Sequence, residues 1–352
     1  MARDAAGEGL GLIISADSHV MEPADLWTRQ MPAALRDVAP TFKPLPKGPG
    51  FDNHPGGTDP RERVREMATD GVSAEVLYPT HGLRLFALHD PALQQACFKV
   101  YNDWLIDYCR IHPDRLLGVP CISMYDIPSA LKELERCLKA GLKGALIWQS
   151  PPEGLRFTSD HYEPFWEACA ALDAPVNLHI LTGFNYSQNL VQSGMEMCRG
   201  ASILKTNETV NSLFDLVFAG VLKRHPKLKI LNVEAEIGWV PFYTQQWDHY
   251  YRRFHKTLPI AIDQEPSTYF YRQFWFTFFN DPVGAKMLDW WGGDRCMWSS
   301  DYPHPNSTWP HSREVIQRDL GYLPIGAQRK LVRENVVQLY GMTVPKSEAL
   351  AA

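Results

Sequence analysis

The sequence predicts an α/β fold, a (β/α)8 TIM-type barrel with insertions on its catalytic face. Eight short apolar runs recur along the 352 residues, and stretches with helical spacing separate them. Short runs without polar alternation are typical of strands that are buried on both faces, as in a parallel sheet. Residues that can bind a metal follow both the first run and the last, and only a closed sheet brings those two ends together. A doubly wound sheet is the alternative.

The individual elements follow from these runs. The predicted strands are residues 12–19, 74–79, 116–122, 144–149, 176–179, 230–234, 274–280 and 297–301. Apolar residues at helical spacing predict helices over residues 128–140, 162–172 and 212–224, and the first of these ends at an Ala-Gly pair that is typical of a helix stop.

We expect one domain over residues 1–352, with the barrel core at residues 12–340. Residues 40–60 are rich in proline and glycine, which predicts a surface loop. Residues 181–209 follow the fifth predicted strand and have only a weak helical pattern. Because long insertions after barrel strands lie on the catalytic face, this segment is a candidate lid.

Composition narrows the classes of function. The net charge is −5 and no basic stripe is present, which argues against a nucleic-acid partner. No apolar run reaches the roughly 18 residues that span a bilayer, and the N-terminus lacks a signal-peptide pattern. Seven cysteines are scattered singly, as expected for reduced thiols. We therefore expect a cytoplasmic protein that acts on a small molecule and has no membrane partner.

Metal-ligand types stand at the ends of four of the predicted strands. Asp17 and His19 are two positions apart, a spacing that points both side chains to one face of a strand. His179 ends the fifth strand and Glu234 ends the sixth, with Glu236 two positions on. Because a buried unpaired carboxylate is costly, we expect Glu234 to contact a metal ion or a cation. The alternative is a salt bridge to a lysine or arginine elsewhere in the chain.

The last strand and two turns add further candidates. Asp301 can bind a metal and act as a general base, although an aspartate here can also cap a turn. His304 is a further ligand or a substrate contact. Glu22 either reaches the site or, as we favour, hydrogen-bonds the backbone of the helix that follows it. His81 and Arg84 follow the second strand and are candidate substrate contacts, Arg84 for a carboxylate.

The chain resembles the amidohydrolase-related family, in the branch that includes aminocarboxymuconate-semialdehyde decarboxylase and the resorcylate-type decarboxylases. Four phrases carry the resemblance: DSHVMEP at residues 17–23, PVNLH at 175–179, GWVPF at 238–242 and SDYPH at 300–304. It implies that Asp17, His19, His179 and Asp301 are metal ligands, and that the chain forms a homodimer. Two departures make the site more acidic, because the family usually has His or Glu in place of Asp17 and often has a histidine near Glu234.

We therefore expect a metal-dependent hydrolase or decarboxylase that acts on a small or medium organic acid, ester, amide or lactone with an apolar or aromatic body. Asp301 would be the general base, with Glu234 and His304 beside it. One or two divalent ions of zinc, manganese or iron suit this mixture of oxygen and nitrogen ligands. The alternatives are a non-haem di-iron monooxygenase on the same fold, which hydroxylates an apolar substrate, and a binding protein without activity.

Overall fold

Eight parallel strands form the centre of the computed structural model, which describes residues 9–42, 54–185 and 195–344. They are β1 Ile14–His19, β2 Ala74–Tyr78, β3 Leu116–Gly118, β4 Ala145–Ile147, β5 Val176–His179, β6 Ile230–Val233, β7 Phe274–Phe278 and β8 Cys296–Trp298. Strands β1 to β3 pair in order, and so do β4 to β8, always in parallel. All eight predicted strands are confirmed, although every strand except β5 is shorter than the run that predicts it.

Backbone hydrogen bonds join the two groups of strands into a closed barrel. Between β3 and β4, the amide of Leu146 donates to the carbonyl of Pro120 over 2.8 Å. Between β8 and β1, the amide of Asp301 donates to the carbonyl of Asp17 over 3.0 Å. The second contact brings the last strand against the first, so the fold is the predicted barrel and not a doubly wound sheet.

Helices alternate with the strands. The α-helices are α1 Leu26–Gln30, α2 Pro60–Asp70, α3 Pro91–Cys109, α4 Ile127–Lys139, α5 Glu163–Ala171, α6 Met195–Ile203, α7 Thr209–Phe218, α8 Val221–Arg224, α9 Val240–Phe254, α10 Pro266–Gln273, α11 Pro282–Trp291, α12 Ser312–Leu320, α13 Ile325–Arg329 and α14 Asn335–Tyr340. Two π-helical turns, Leu204–Glu208 and Lys330–Glu334, precede α7 and α14. Within the described ranges, no helix is long and apolar enough to cross a bilayer.

Two of the three predicted helices are confirmed, as α4 and α5. The third, at residues 212–224, is wrong as one continuous helix because the chain breaks between α7 and α8. Gly220 adopts a left-handed conformation there, with φ of 76°. Glycine lacks a Cβ atom and takes this conformation at little steric cost. The helical spacing of the apolar residues carries no information about such a break.

The two predicted insertions are only partly tested. Residues 43–53 of the predicted loop lie outside the described residues, and its last residue already begins α2. Residues 186–194 of the candidate lid also lie outside them. The remainder, from Met195 onward, is largely helical, as α6 and the π-helical turn Leu204–Glu208. The lid and the single-domain organisation stay predictions.

Candidate metal centre

The carboxyl ends of β1, β5, β6 and β8 bring all six predicted ligands to one end of the barrel. The ligand atoms form two overlapping groups, and within each group all atoms lie within 4.8 Å of one another. One group is Asp17, His19, His179 and Glu234, and the other is His19, Glu234, Asp301 and His304. Five of the six residues are buried, and His304 is partly exposed. Residues up to 287 positions apart in the sequence thus form one cluster.

The two buried histidines are oriented so that one nitrogen of each faces the cluster. His19 Nδ1 lies 2.8 Å from the carbonyl of Pro79, and His179 Nδ1 lies 2.6 Å from the carbonyl of Ile180. A carbonyl only accepts, so each Nδ1 carries a proton, and the Nε2 atom of each ring faces the cluster, where it can offer a lone pair to a metal ion. This is how metal-binding histidines are commonly held.

The carboxylates of Asp17, Asp301 and Glu234 complete the cluster. Asp17 Oδ1 lies 3.5 Å from His19 Nε2 and 3.7 Å from His179 Nε2, and Asp301 Oδ1 lies 3.4 Å from His19 Nε2. Glu234 Oε2 lies 3.6 Å from His179 Nε2. Both oxygens of Asp17, together with Glu234 Oε2, are buried without a hydrogen-bond partner among the described residues. Orphaned carboxylate oxygens are costly unless a cation binds them.

The pKa values point the same way. Burial raises the pKa of Asp17, and burial together with the charge of Asp301 raises the pKa of Glu234 to about 8. Burial alone would lower the pKa of His179, but the Asp17 and Glu234 carboxylates raise it to about 9. The site therefore attracts positive charge. Mixed carboxylate and imidazole donors with orphaned oxygens fit a divalent metal ion.

The backbone at two of the carboxylates is strained. Glu234 has φ of 62° and Asp301 has φ of 56°, a left-handed conformation that is uncommon outside glycine. Such a conformation costs on the order of 1–3 kcal/mol and persists where the surrounding structure enforces it, often at functional sites. Here the Glu234 amide donates to Thr277 Oγ1 over 2.8 Å, and the Asp301 amide bonds to β1. The strain turns both carboxylates toward the cluster.

His304 lies beside Asp301 at the edge of the cluster. Its Nδ1 is 3.0 Å from Asp301 Oδ1, its Nε2 is 3.1 Å from Thr80 Oγ1, and its ring stacks on that of His19 with centroids 3.9 Å apart. Burial lowers the pKa of His304, but the Asp301 carboxylate outweighs burial and raises it. Because 15% of its side chain is exposed, His304 connects the buried carboxylate of Asp301 to solvent.

A buried arginine supports the cluster from below and was not anticipated from the sequence. Arg63, in α2, donates to the carbonyl of His19 over 2.7 Å and to that of Tyr302 over 3.4 Å. Its Nε lies 2.5 Å from Glu75 Oε2 in β2. Arg63 therefore ties one helix to the ligand-bearing segments of β1 and β8. Nothing in the local pattern of α2 distinguishes it from the other arginines of that helix.

A partly exposed lysine beside Glu234 was also missed. Lys205, in the π-helical turn Leu204–Glu208, places Nζ 4.0 Å from Glu234 Oε1 and 3.5 Å from Glu236 Oε1. Burial lowers the pKa of Lys205, but Glu234 and Glu236 raise it above the ordinary value, so the ammonium stays charged. The salt bridge to Glu234 that we kept as an alternative is therefore present. Glu234 contacts this cation and His179 together.

The expected partner of Glu22 is wrong. Its carboxylate accepts hydrogen bonds from the amides of Thr80, His81 and Gly82, at 3.2, 2.9 and 2.9 Å. It therefore braces the loop after β2 instead of the helix that follows it in the chain. Three amides aligned on one carboxylate satisfy a buried charge well, but they are not visible from the sequence because they lie about 60 positions away.

Neither of the two candidate substrate contacts belongs to the described ligand groups. His81 is buried and stacks on Phe42, with ring centroids 4.8 Å apart, and burial lowers its pKa to about 4. Arg84 is exposed. A substrate role for either residue stays a prediction.

Comparison with known proteins places the chain in a family. A family model of the amidohydrolases matches residues 16–342. Gamma-resorcylate decarboxylase of Polaromonas sp. (strain JS666) is 25% identical over 286 residues, which cover 78% of this chain and 87% of that protein. The 2-amino-3-carboxymuconate-6-semialdehyde decarboxylase of Dictyostelium discoideum is 26% identical over 251 residues, which cover 70% of this chain and 67% of that protein.

Solved structures share the fold. An amidohydrolase of Mycobacterium avium subsp. paratuberculosis K-10 superposes with a TM-score of 0.78 at 19% identity, over 93% of this chain and 98% of that one. A dihydroxybenzoic acid decarboxylase of Polaromonas sp. JS666, with bound manganese and the inhibitor 2-nitroresorcinol, superposes with a TM-score of 0.70 at 21% identity, over 94% and 97% of the two chains. With most of its length matched, the chain belongs to the amidohydrolase family, as an enzyme of the branch that contains the gamma-resorcylate and 2-amino-3-carboxymuconate-6-semialdehyde decarboxylases.

Proposed function

We propose that this enzyme is a metal-dependent decarboxylase of aromatic acids. One observation carries the proposal: a buried cluster of carboxylates and imidazoles, with oxygens that lack partners, stands where the strands of the barrel end. Its curated relatives are decarboxylases, and a structural relative holds manganese together with a dihydroxybenzene inhibitor. These relatives favour decarboxylation over the hydrolysis that the sequence left equally open.

Asp17, His19, His179 and Asp301 would hold one divalent ion, with manganese the first candidate. When bound, such an ion supplies positive charge that orients the oxygens of a substrate and stabilises negative charge as a bond breaks. The chain contributes the orientation of the ligands, because the carbonyls of Pro79 and Ile180 hold the two histidine rings.

The pair of Asp301 and His304 is suited to proton transfer. In a decarboxylation, the electrons of the broken carbon–carbon bond stay on the ring carbon, which then takes a proton while carbon dioxide leaves. Asp301 Oδ1 lies 3.0 Å from His304 Nδ1, close enough for a proton to pass between them. His304 is the partly exposed member, so it can take up a proton from solvent after each turnover.

The test is direct. The enzyme is loaded with manganese and offered 2,6-dihydroxybenzoate and 5-carboxyvanillate, and released carbon dioxide and the phenolic product are measured. We expect both products from at least one acid, and we expect Asp301→Asn to abolish turnover. Asp263→Asn, at an exposed ion pair with Lys223, is the matched control and should act as the wild type does. Cleavage of aromatic esters or amides without carbon dioxide release would contradict the proposal.

A di-iron monooxygenase is the second candidate, and one observation favours it. The six ligands form two overlapping groups that share His19 and Glu234, an arrangement with donors for two ions. Two irons per chain, a near-ultraviolet band from a bridged iron pair and oxygen consumption that needs a reductant would support this function and overturn the decarboxylase. One divalent ion per chain and turnover without oxygen would exclude it.

A homodimer also stays a prediction, since the family resemblance alone implies it. Light scattering on the purified enzyme measures the mass directly. A mass near twice the 40.0 kDa of one chain would confirm it.

A further inference from the structure

The acidity of the site creates a problem for an acidic substrate. Asp17, Glu234 and Asp301 converge on the cluster, and Glu236 stands beside it. One divalent ion neutralises the charge of two of these four carboxylates, so the carboxylates and the ion together stay negative. An aromatic carboxylate would be repelled there unless a further cation faced it, because like charges in a poorly solvated site repel strongly.

Lys205 is placed to meet this need. Its Nζ is 4.0 Å from Glu234 Oε1 and 3.5 Å from Glu236 Oε1. Both distances exceed the roughly 2.8 Å of a close charge-assisted hydrogen bond, so the acids hold the ammonium by charge more than by tight bonds. The side chain is 26% exposed, which leaves the ammonium within reach of a ligand that enters the site.

The surroundings of Lys205 hold its ammonium in a fixed place beside the cluster. The ammonium lies over the ring of Phe279, 5.3 Å from its centroid. The amide of Phe279 donates a hydrogen bond to Glu236 Oε2 over 3.3 Å, so the two residues that contact the ammonium are fixed relative to each other. Lys205 itself lies in a π-helical turn, and such turns are frequent at functional sites.

We propose that Lys205 binds the carboxylate of the aromatic acid substrate, while the buried ring of Phe279 holds the ammonium in place. This inference rests on the proposed decarboxylase function and names the residue that overcomes the repulsion of the acidic ligands. Lys205 thereby selects anionic over neutral aromatic substrates. A purely structural salt bridge, which would only hold the π-helical turn against the barrel, predicts no such selection.

The experiment compares a charged probe with a neutral one. Salicylate and salicylamide have nearly the same shape, but only salicylate carries a carboxylate. Calorimetric dissociation constants are measured with the manganese-loaded wild type and with Lys205→Met and Lys205→Arg. We expect Lys205→Met to weaken salicylate binding about tenfold or more, and Lys205→Arg to retain most of the affinity because it keeps the charge. Salicylamide binding should change less than about twofold, since a neutral amide gains little from the ammonium.

Controls separate this inference from other causes. Lys223→Met removes a surface lysine that pairs with Asp263 and should leave both constants unchanged. Metal content per chain and circular dichroism are measured for every variant. Unchanged salicylate affinity in Lys205→Met, no salicylate binding to the wild type, or loss of metal with the lysine would each overturn the inference. If the wild type releases no carbon dioxide from aromatic acids but salicylate still depends on Lys205, the decarboxylase proposal fails and the anion site stands.

Discussion

The Nε2 atoms of His19 and His179 lie 3.3 Å apart, although 160 positions separate the two residues in the sequence. Each ring donates a hydrogen bond from Nδ1 to a backbone carbonyl, so the two Nε2 atoms face each other across this distance. Lone pairs this close are stable only with a proton or a metal ion between them. The raised pKa of His179 shows how strongly the site favours positive charge. The ends of β1 and β5 therefore form a cation-binding position together that neither strand end forms alone.

Loss of one of these rings should release the metal. We expect His179→Gln to lower the metal content per chain about tenfold or more. Even the mutation of a residue that only orients a ligand lowers metal affinity about 10- to 100-fold. Plasma mass spectrometry after dialysis measures this content. His225→Gln, at a histidine that pairs with Glu163 outside the cluster, is the matched control and should keep the metal. Full metal content in His179→Gln would show that His179 is not a ligand.

Asp17→Asn should affect the metal-free and metal-loaded enzymes in opposite directions. Without metal, the Asp17 carboxylate is buried with both oxygens unpartnered and near the other acids. Removing the charge should raise the free energy of unfolding of the metal-free enzyme by about 1 kcal/mol or more. With manganese present, the variant should gain less stability than the wild type. Urea unfolding with chelator and with manganese measures both effects, and a less stable metal-free variant would contradict this account.

The buried ion pair beneath the cluster should be costly to break on one side only. Arg63→Met leaves Glu75 buried without its partner and should lower the free energy of unfolding by roughly 3–5 kcal/mol. The double variant Arg63→Met/Glu75→Leu removes both charges and should recover most of that loss. Urea unfolding of the two variants and the wild type measures the difference. Equal stability of the single and double variants would show that the pairing is not what Arg63 contributes.

His81 should make the enzyme sensitive to acid. Burial lowers its pKa to about 4 in the folded enzyme, whereas the ordinary value of 6.5 applies when the chain unfolds. The unfolded state then binds more protons between these values, so stability is retained above pH 6.5 and is lost as the pH falls toward 4. The loss is about 3.5 kcal/mol at most, from about 1.4 kcal/mol per pH unit.

The comparison is made on metal-free enzyme, so that changes at the ligands cancel between variants. His81→Phe keeps a ring against Phe42 and should lose stability more slowly with acid than the wild type. His311→Gln, at an exposed histidine, should follow the wild type. If the unfolding free energies of His81→Phe and the wild type fell in parallel from pH 7 to 4, burial of His81 would not be the cause.

The barrel strands and the convergence of the candidate ligands could be predicted from the sequence because both depend on local order. β5 spans the predicted residues 176–179. In β1, the alternation of side chains along a strand puts Asp17 and His19 on the same face, whatever the strand packs against. An acid or histidine directly after a buried run lies at the end of its strand, and the ends of parallel strands meet. The ligand types and their convergence therefore follow from positions along the chain.

Only the tertiary structure decided which distant groups those ligands contact. Lys205 reaches Glu234, Arg63 supports the His19 carbonyl, and Glu22 binds the loop after β2 instead of its own neighbouring helix. Each of these side chains is long and polar and can satisfy its charge in many places, so periodicity carries no information about its partner. The sequence by itself determined the approximate positions of the strands and which candidate ligands stand at their ends, because backbone geometry is periodic. The partners of these long polar side chains were decided by packing across the barrel, which no local sequence pattern encodes.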